Sequence, residues 1–162
     1  MKTLYAKQKV FTIEDHYPIM DENGEAVYQV DQNFKFFGYE VHVSRADGTP
    51  VFVITQELLK FLPTFHVRFE NGDTMTIKSR ISFLKKKIDV DYSGKNLSIT
   101  GDVWDWDFAL REGEREVASV TRKFLTWGDT FTLDIFDDAY SDVAVAAMIA
   151  IDRLIDIEES AN

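Results

Sequence analysis

From Val143 to Ile151 the chain reads VAVAAMIAI, a stretch without a single polar side chain. A helix on a protein surface keeps a polar stripe towards water, whereas a helix that is apolar all round is a buried one. The stretch is also far short of the roughly 20 apolar residues that carry a helix across a bilayer, because Asp152, Arg153 and Asp156 follow directly. The rest of the chain must therefore enclose this helix on every side. Asp142, or Ser141, is the expected N-cap, and the helix is expected at about 142–157. At 1.5 Å per residue, its length is roughly 24 Å. Ala144, Ala146, Ala147 and Ala150 keep it narrow, while Val143, Val145, Met148, Ile149 and Ile151 supply apolar contacts.

What precedes the helix reads as strands. Asn23-Gly24, Asp47-Gly48 and Asn71-Gly72 recur every 24 positions, and such dipeptides favour tight hairpins. The flanks alternate. Tyr39, Val41 and Val43 share a face, as do Phe65, Val67 and Phe69, while Met75 and Ile77 oppose Thr74, Thr76 and Lys78. Period two persists to about Phe136. In WDWDFAL, alternation sets Trp104, Trp106 and Phe108 on one face and Asp105 and Asp107 on the other.

An internal echo adds a second constraint. TQELLKFLPTFHV (55–67) matches TRKFLTWGDTFTL (121–133) at a constant offset of 66. The match aligns Thr55 with Thr121, Leu59 with Leu125, Phe61 with Trp127, Thr64 with Thr130 and Phe65 with Phe131. The preceding turns, ADGTP and REGERE, correspond with one residue of slippage. These are two related sheet halves, each with a hairpin, a short bend and a returning strand. For many antiparallel strands and one terminal helix, the economical solution is a mainly β fold in which the sheet closes into a barrel around the helix.

VASVTRKFLTWGDTFTLDI, followed by VAVAAMIAIDRL, closely resembles the LURP-one-related (YxjI-like) family. DENGEAVYQV and RADGTPVFVI extend the resemblance over nearly the whole chain. It implies a Tubby C-terminal-like fold, shared with phospholipid scramblases: a closed antiparallel barrel of about twelve strands around a hydrophobic C-terminal helix. About activity it implies little, since one fold carries many functions.

Composition narrows the function classes. A chain of 162 residues is most simply one domain, 1–162, long enough to bury a real core. A formal charge of −10 argues against a nucleic-acid partner. The absence of cysteine removes disulfides, thiolate catalysis and cysteine-ligated metals, and fits a reducing compartment. The start, MKTLYAKQKVFTIEDHYP, lacks the apolar core and cleavage site of a signal peptide. A cytoplasmic protein without transmembrane insertion is expected, with peripheral membrane contact still open.

Candidate sites are of two kinds. Tubby domains bind phosphoinositide head groups through basic residues, and the basic candidates for an anion or lipid are Lys78, Arg80, Lys85, Lys86, Lys87, Arg122 and Lys123. The weaker candidate is calcium at the acidic series before the helix, Asp134, Asp137, Asp138 and Asp142, with Asp129 upstream. Calcium favours flexible oxygen ligands, and scramblase-like relatives carry an acidic segment in a comparable place. The ordered spacing of an EF-hand loop is missing. Asp105 and Asp107 as an acid–base pair carry little weight, because strand alternation already explains them. His16, His42 and His66 are scattered and form no metal or nucleophile signature. The three tryptophans fit core packing better than a ligand face. No cofactor and no enzymatic activity are expected. The expected function is binding of an anionic lipid, a small ligand or a protein partner; the alternative is a structural or stress-related interaction module, with a metal-dependent enzyme well behind.

Overall fold

The computed structural model describes residues 1–7, 16–35, 38–58, 61–82, 85–125 and 128–160. Twelve strands precede the helix. In the first half these are β1 (Lys2–Lys7), β2 (His16–Met20), β3 (Ala26–Lys35), β4 (Gly38–Arg45), β5 (Pro50–Gln56) and β6 (Thr64–Phe69). The second half comprises β7 (Thr74–Ser82), β8 (Lys85–Tyr92), β9 (Lys95–Asp102), β10 (Asp107–Glu112), β11 (Arg115–Leu125) and β12 (Gly128–Ile135). Each strand pairs antiparallel with its sequence neighbours, and β1 pairs with β12, so the sheet closes into a barrel. Closure leaves no free outer edge, and successive connections alternate between the two ends.

The hairpins anticipated at 24-residue spacing all lie at one end. In each, the glycine N–H donates to the carbonyl three residues back: Gly24 to Asp21 at 3.1 Å, Gly48 to Arg45 at 3.0 Å and Gly72 to Phe69 at 3.0 Å. Only the glycine takes positive φ, +91° at Gly48. The preceding Asn or Asp does not, which differs from the type I′ geometry that dipeptides of this kind favour. Their side chains have another use: Asp47 Oδ1 accepts from the Thr49 N–H at 2.9 Å, and Asn71 Oδ1 from Asp73 at 2.9 Å. Such Asx contacts stabilise the turn locally.

The two halves superpose in register. Gln56 pairs with Phe65, and 66 positions on Arg122 pairs with Phe131. Ile54–Val67 becomes Val120–Leu133 in the same way. Both first hairpins carry a bulge at the same step, between Val43 and Ser44 and between Leu110 and Arg111. The correspondence continues round the barrel, with Leu4–Leu133 at the closing seam matching Met75–Val67.

Helix α1 (Ser141–Ser160) fills the barrel. Every residue from Val143 to Ile151 is buried, at most 3% exposed. Inward-facing side chains such as Ile54, Phe65, Ile77, Val90, Leu97 and Leu133 enclose it. The helix is longer than the expected 142–157, and it follows directly on a 3-10 turn at Asp138–Tyr140. That turn alters the capping. Asp137, rather than Asp142 or Ser141, caps the 3-10 turn through the Ala139 N–H at 3.0 Å. Asp142 lies in the helix's first turn, where a carboxylate complements the helix dipole. Its two oxygens accept from the Arg45 guanidinium at 3.0 Å each, and the Tyr28 hydroxyl donates to one of them at 2.7 Å. The helix therefore enters at the tight-turn end and runs towards the other. There Ser79 on β7 donates to Glu158 at 3.1 Å, and Arg153 lies over the Tyr39 ring.

The reading of WDWDFAL as one alternating strand is corrected. Residues 103–106 form a turn and β10 begins only at Asp107. Trp106, at φ +56°, folds inward and stacks on Phe131 with centroids 4.0 Å apart. Burying the indole offsets the cost of a left-handed conformation in a non-glycine residue.

Candidate functional site

The acidic candidates do not converge. The Asp134 carboxylate accepts from the Thr3 hydroxyl at 2.7 Å. Asp137 pairs with Arg115, which holds its carboxyl below the usual range. Asp138 is exposed, and Asp142 is taken by Arg45 and Tyr28. Among the described residues no group of His, Asp and Glu is arranged to hold a metal. Asp129, next to the β11–β12 connection, lies at the opposite end of β12. Asp105 is in the turn and Asp107 on β10, so they do not share a strand face; Asp105 instead faces Arg122 at 3.7 Å. The three histidines are exposed and each meets a different carboxylate: His16 with Asp31, His42 with Glu40 at 2.7 Å and His66 with Glu57 at 2.7 Å.

The basic candidates gather more closely. Lys78 and Arg80 lie on the last half of β7, and Lys85, Lys86 and Lys87 open β8, all next to the β7–β8 connection. Ladder pairing sets Arg80 directly opposite Lys87, and both side chains are exposed. Like charges directly opposite across a strand pair repel by roughly 0.2–1 kcal/mol. Asp89 relieves part of this, holding the Arg80 Nε at 2.9 Å. Among the described residues, Lys87 makes no ion pair. Arg122 and Lys123 lie elsewhere, near the end of β11. Lys123 lines a groove with Tyr5, Met20 and the Asp21–Gly24 turn, so carboxylates share its surroundings.

Beside Arg80 and Lys87 the barrel wall opens. β8 and β9 pair only at Val90–Leu97, Asp91–Asn96 and Tyr92–Lys95. Continuing that register would set Ile88 against Ile99, but the ladder stops short of them. The result is a cleft of about 900 Å³. Arg80, Lys87 and Asp89 stand on one bank, and Ser98, Asp102 and Trp104 on the other. Ile88 and Ile99 form its apolar floor and are only half-buried, although both point inward. Gly101 borders the cleft at φ +104°, and a Cβ there would meet the Asp107 carbonyl oxygen at 2.4 Å. The close approach of β9 to β10 thus depends on a residue without a side chain.

The end of the barrel carrying the β5–β6, β7–β8 and β11–β12 connections has another feature. Phe61 is 93% exposed and Phe124 83%, with Leu58 next at 52%. Leu58 and Phe124 are equivalent positions of the two halves, 66 residues apart, and so are Phe61 and Trp127. Trp127 lies outside the described residues. Leu58, Phe61 and Phe124 thus leave three large apolar side chains in water at this end. Sequence reading placed FLPTF and FLTWG in the short bends of the two halves, and nothing in the alternation there marks which side chain is exposed.

The sequence pattern that defines the LURP-one-related family matches residues 2–152. The chain belongs to the LURP-one-related family. The uncharacterised protein YxjI of Bacillus subtilis (strain 168) is 32% identical over 152 residues, covering 93% of this chain and 91% of that protein. An X-ray structure of an Arabidopsis thaliana protein shares the fold, with a TM-score of 0.62 at 17% identity over 97% of this chain and 91% of that one. LURP-one-related membership and the barrel agree. The site must be argued from its own geometry.

Proposed function

We propose that this LURP-one-related barrel is a binding protein that docks on anionic lipid surfaces through the end carrying Phe61 and Phe124. The observation that supports it most is those two exposed phenylalanines, Phe61 in the β5–β6 bend and Phe124 near the end of β11, at the end that also bears Lys78, Arg80 and the lysines opening β8. An aromatic ring leaving water for the acyl boundary contributes roughly 1.5–3 kcal/mol when fully buried. Each nearby lysine or arginine adds about 1 kcal/mol at an anionic surface. The body is acidic, yet the turns at Asp47-Gly48, Asn71–Asp73 and Glu112–Glu116 place several carboxylates at the opposite end. Docking by the Phe61–Phe124 end points that charge away from the surface. No described helix is long and apolar enough to cross a membrane, which suits peripheral docking.

Cosedimentation with phosphatidylglycerol–phosphatidylcholine vesicles, against pure phosphatidylcholine, tests this. The protein is expected in the pellet only with the anionic mixture, weakening as salt rises. The doubly substituted Phe61→Ser, Phe124→Ser chain is expected to stay in the supernatant at unchanged Tm. Equal pelleting of wild type and variant, or none of the wild type, removes the proposal.

A further inference from the structure

The β8–β9 seam is where the second half of the barrel departs from the first. Ile88 and Ile99 correspond by register to Tyr17 and Val30, and in the first half that pair closes the ladder between β2 and β3. Tyr17 and Val30 are 1% and 0% exposed, whereas Ile88 and Ile99 are left half-buried above an open slot. The same fold with the same register therefore seals one position and opens the other. A closed barrel ordinarily has no edges to offer. Here two strand segments, 87–89 and 98–102, face a cleft instead of each other.

From this we infer that the seam is a small-molecule site for an amphipathic anion, with a carboxylate or phosphate-monoester head between Arg80 and Lys87 and an apolar chain over Ile88, Ile99 and Trp104. Three features select that chemistry. The cleft, at about 900 Å³, is near the top of the roughly 300–1,000 Å³ range that encloses drug-sized ligands, whose sites combine apolar walls with a few convergent polar groups. The opposed Arg80 and Lys87, with Asp89 engaging Arg80 alone, are a like-charge pair that a bound anion relieves. Asp89 and Asp102 on the same walls restrict the head to a small anion, because a polyphosphate would meet both carboxylates. The site shares its basic pair with the lipid-docking reading but needs no bilayer. It extends that reading to a monomeric ligand.

Isothermal calorimetry with octyl phosphate, kept below its aggregation concentration, tests the site on the full chain. One octyl phosphate per chain is expected, with octanol and inorganic phosphate each binding about ten-fold more weakly or worse. Lys87→Glu is expected to weaken octyl phosphate by about ten-fold. Ser98 is exposed on the cleft wall, and Ser98→Trp is expected to block the cleft while melting at the wild-type temperature. The Phe61→Ser, Phe124→Ser chain keeps full octyl phosphate affinity even where it no longer pellets with vesicles, so the two readings fail separately. Octanol binding as well as octyl phosphate, unchanged affinity in folded Ser98→Trp, or no binding by the wild type overturns the inference.

Discussion

Replacing Ala147 with arginine is expected to leave no folded protein. Ala147 is 3% exposed, and with Ala144 it borders an apolar void between the helix and Phe108, Leu110, Val120 and Leu133. That void holds only about 10 Å³, at the threshold for a single water. A guanidinium there has neither space nor a carboxylate, and burying an unpaired charge costs several kcal/mol at least. Overpacking adds about 1–3 kcal/mol more. Against a total stability of roughly 5–15 kcal/mol, the native state does not survive. Circular dichroism and soluble yield report the loss. Glu159→Arg, at the exposed end of the same helix, keeps the wild-type melting temperature. A cooperative melt near the wild-type temperature for Ala147→Arg would show that the helix is not enclosed.

A second substitution on the same helix is expected to act in the opposite sense. Burial pushes the Asp152 carboxyl up to about 8, reinforced by Asp156 and Glu159 and opposed by Arg153. Below the ordinary aspartate value both folded and unfolded chains hold the proton, and nothing is lost. As pH rises from about 4 the unfolded chain ionises while the folded one keeps its proton. Stability then falls until the pH passes the folded-state value. Asp152→Asn removes this penalty because the amide is neutral throughout. Asp152 keeps some contact with water, so the gain at pH 8 is on the order of 1–3 kcal/mol, less than an unscreened shift would give. Urea unfolding of both chains between pH 4 and pH 8 measures the difference, which cancels the other carboxylates. It should grow steadily with pH. Curves that stay parallel would mean that Asp152 is ordinarily solvated.

The sequence disclosed the parts of this molecule that repeat or alternate. The 24-residue turn spacing, the 66-residue echo and the unbroken apolar stretch each express a local or periodic constraint, and each reappears as hairpin, paired half and enclosed helix. What stayed hidden depends on pairings far apart in the chain. Nothing near Asp142 announces Arg45 and Tyr28, and nothing near Trp106 announces Phe131, so a cap and a strand were the natural readings. The cleft was the least legible feature. KKKIDVDY and KNLSITGDV look like two ordinary neighbouring strands, and only the three-dimensional register shows that they part beyond Val90 and Leu97. Of the basic candidates, Arg80 and Lys87 proved to be neighbours, whereas Lys123 shares its groove with an acidic turn.

The proposed ligand site lies at the opened seam between β8 and β9. An amide chemical-shift titration of isotope-labelled protein with octyl phosphate tests it most directly. Saturable shifts are expected at Arg80, Lys87–Asp89 and Ser98–Trp104, with the Asp47-Gly48 and Asn71-Gly72 turns unmoved. Shifts centred on those turns, or spread evenly over the barrel, would contradict it.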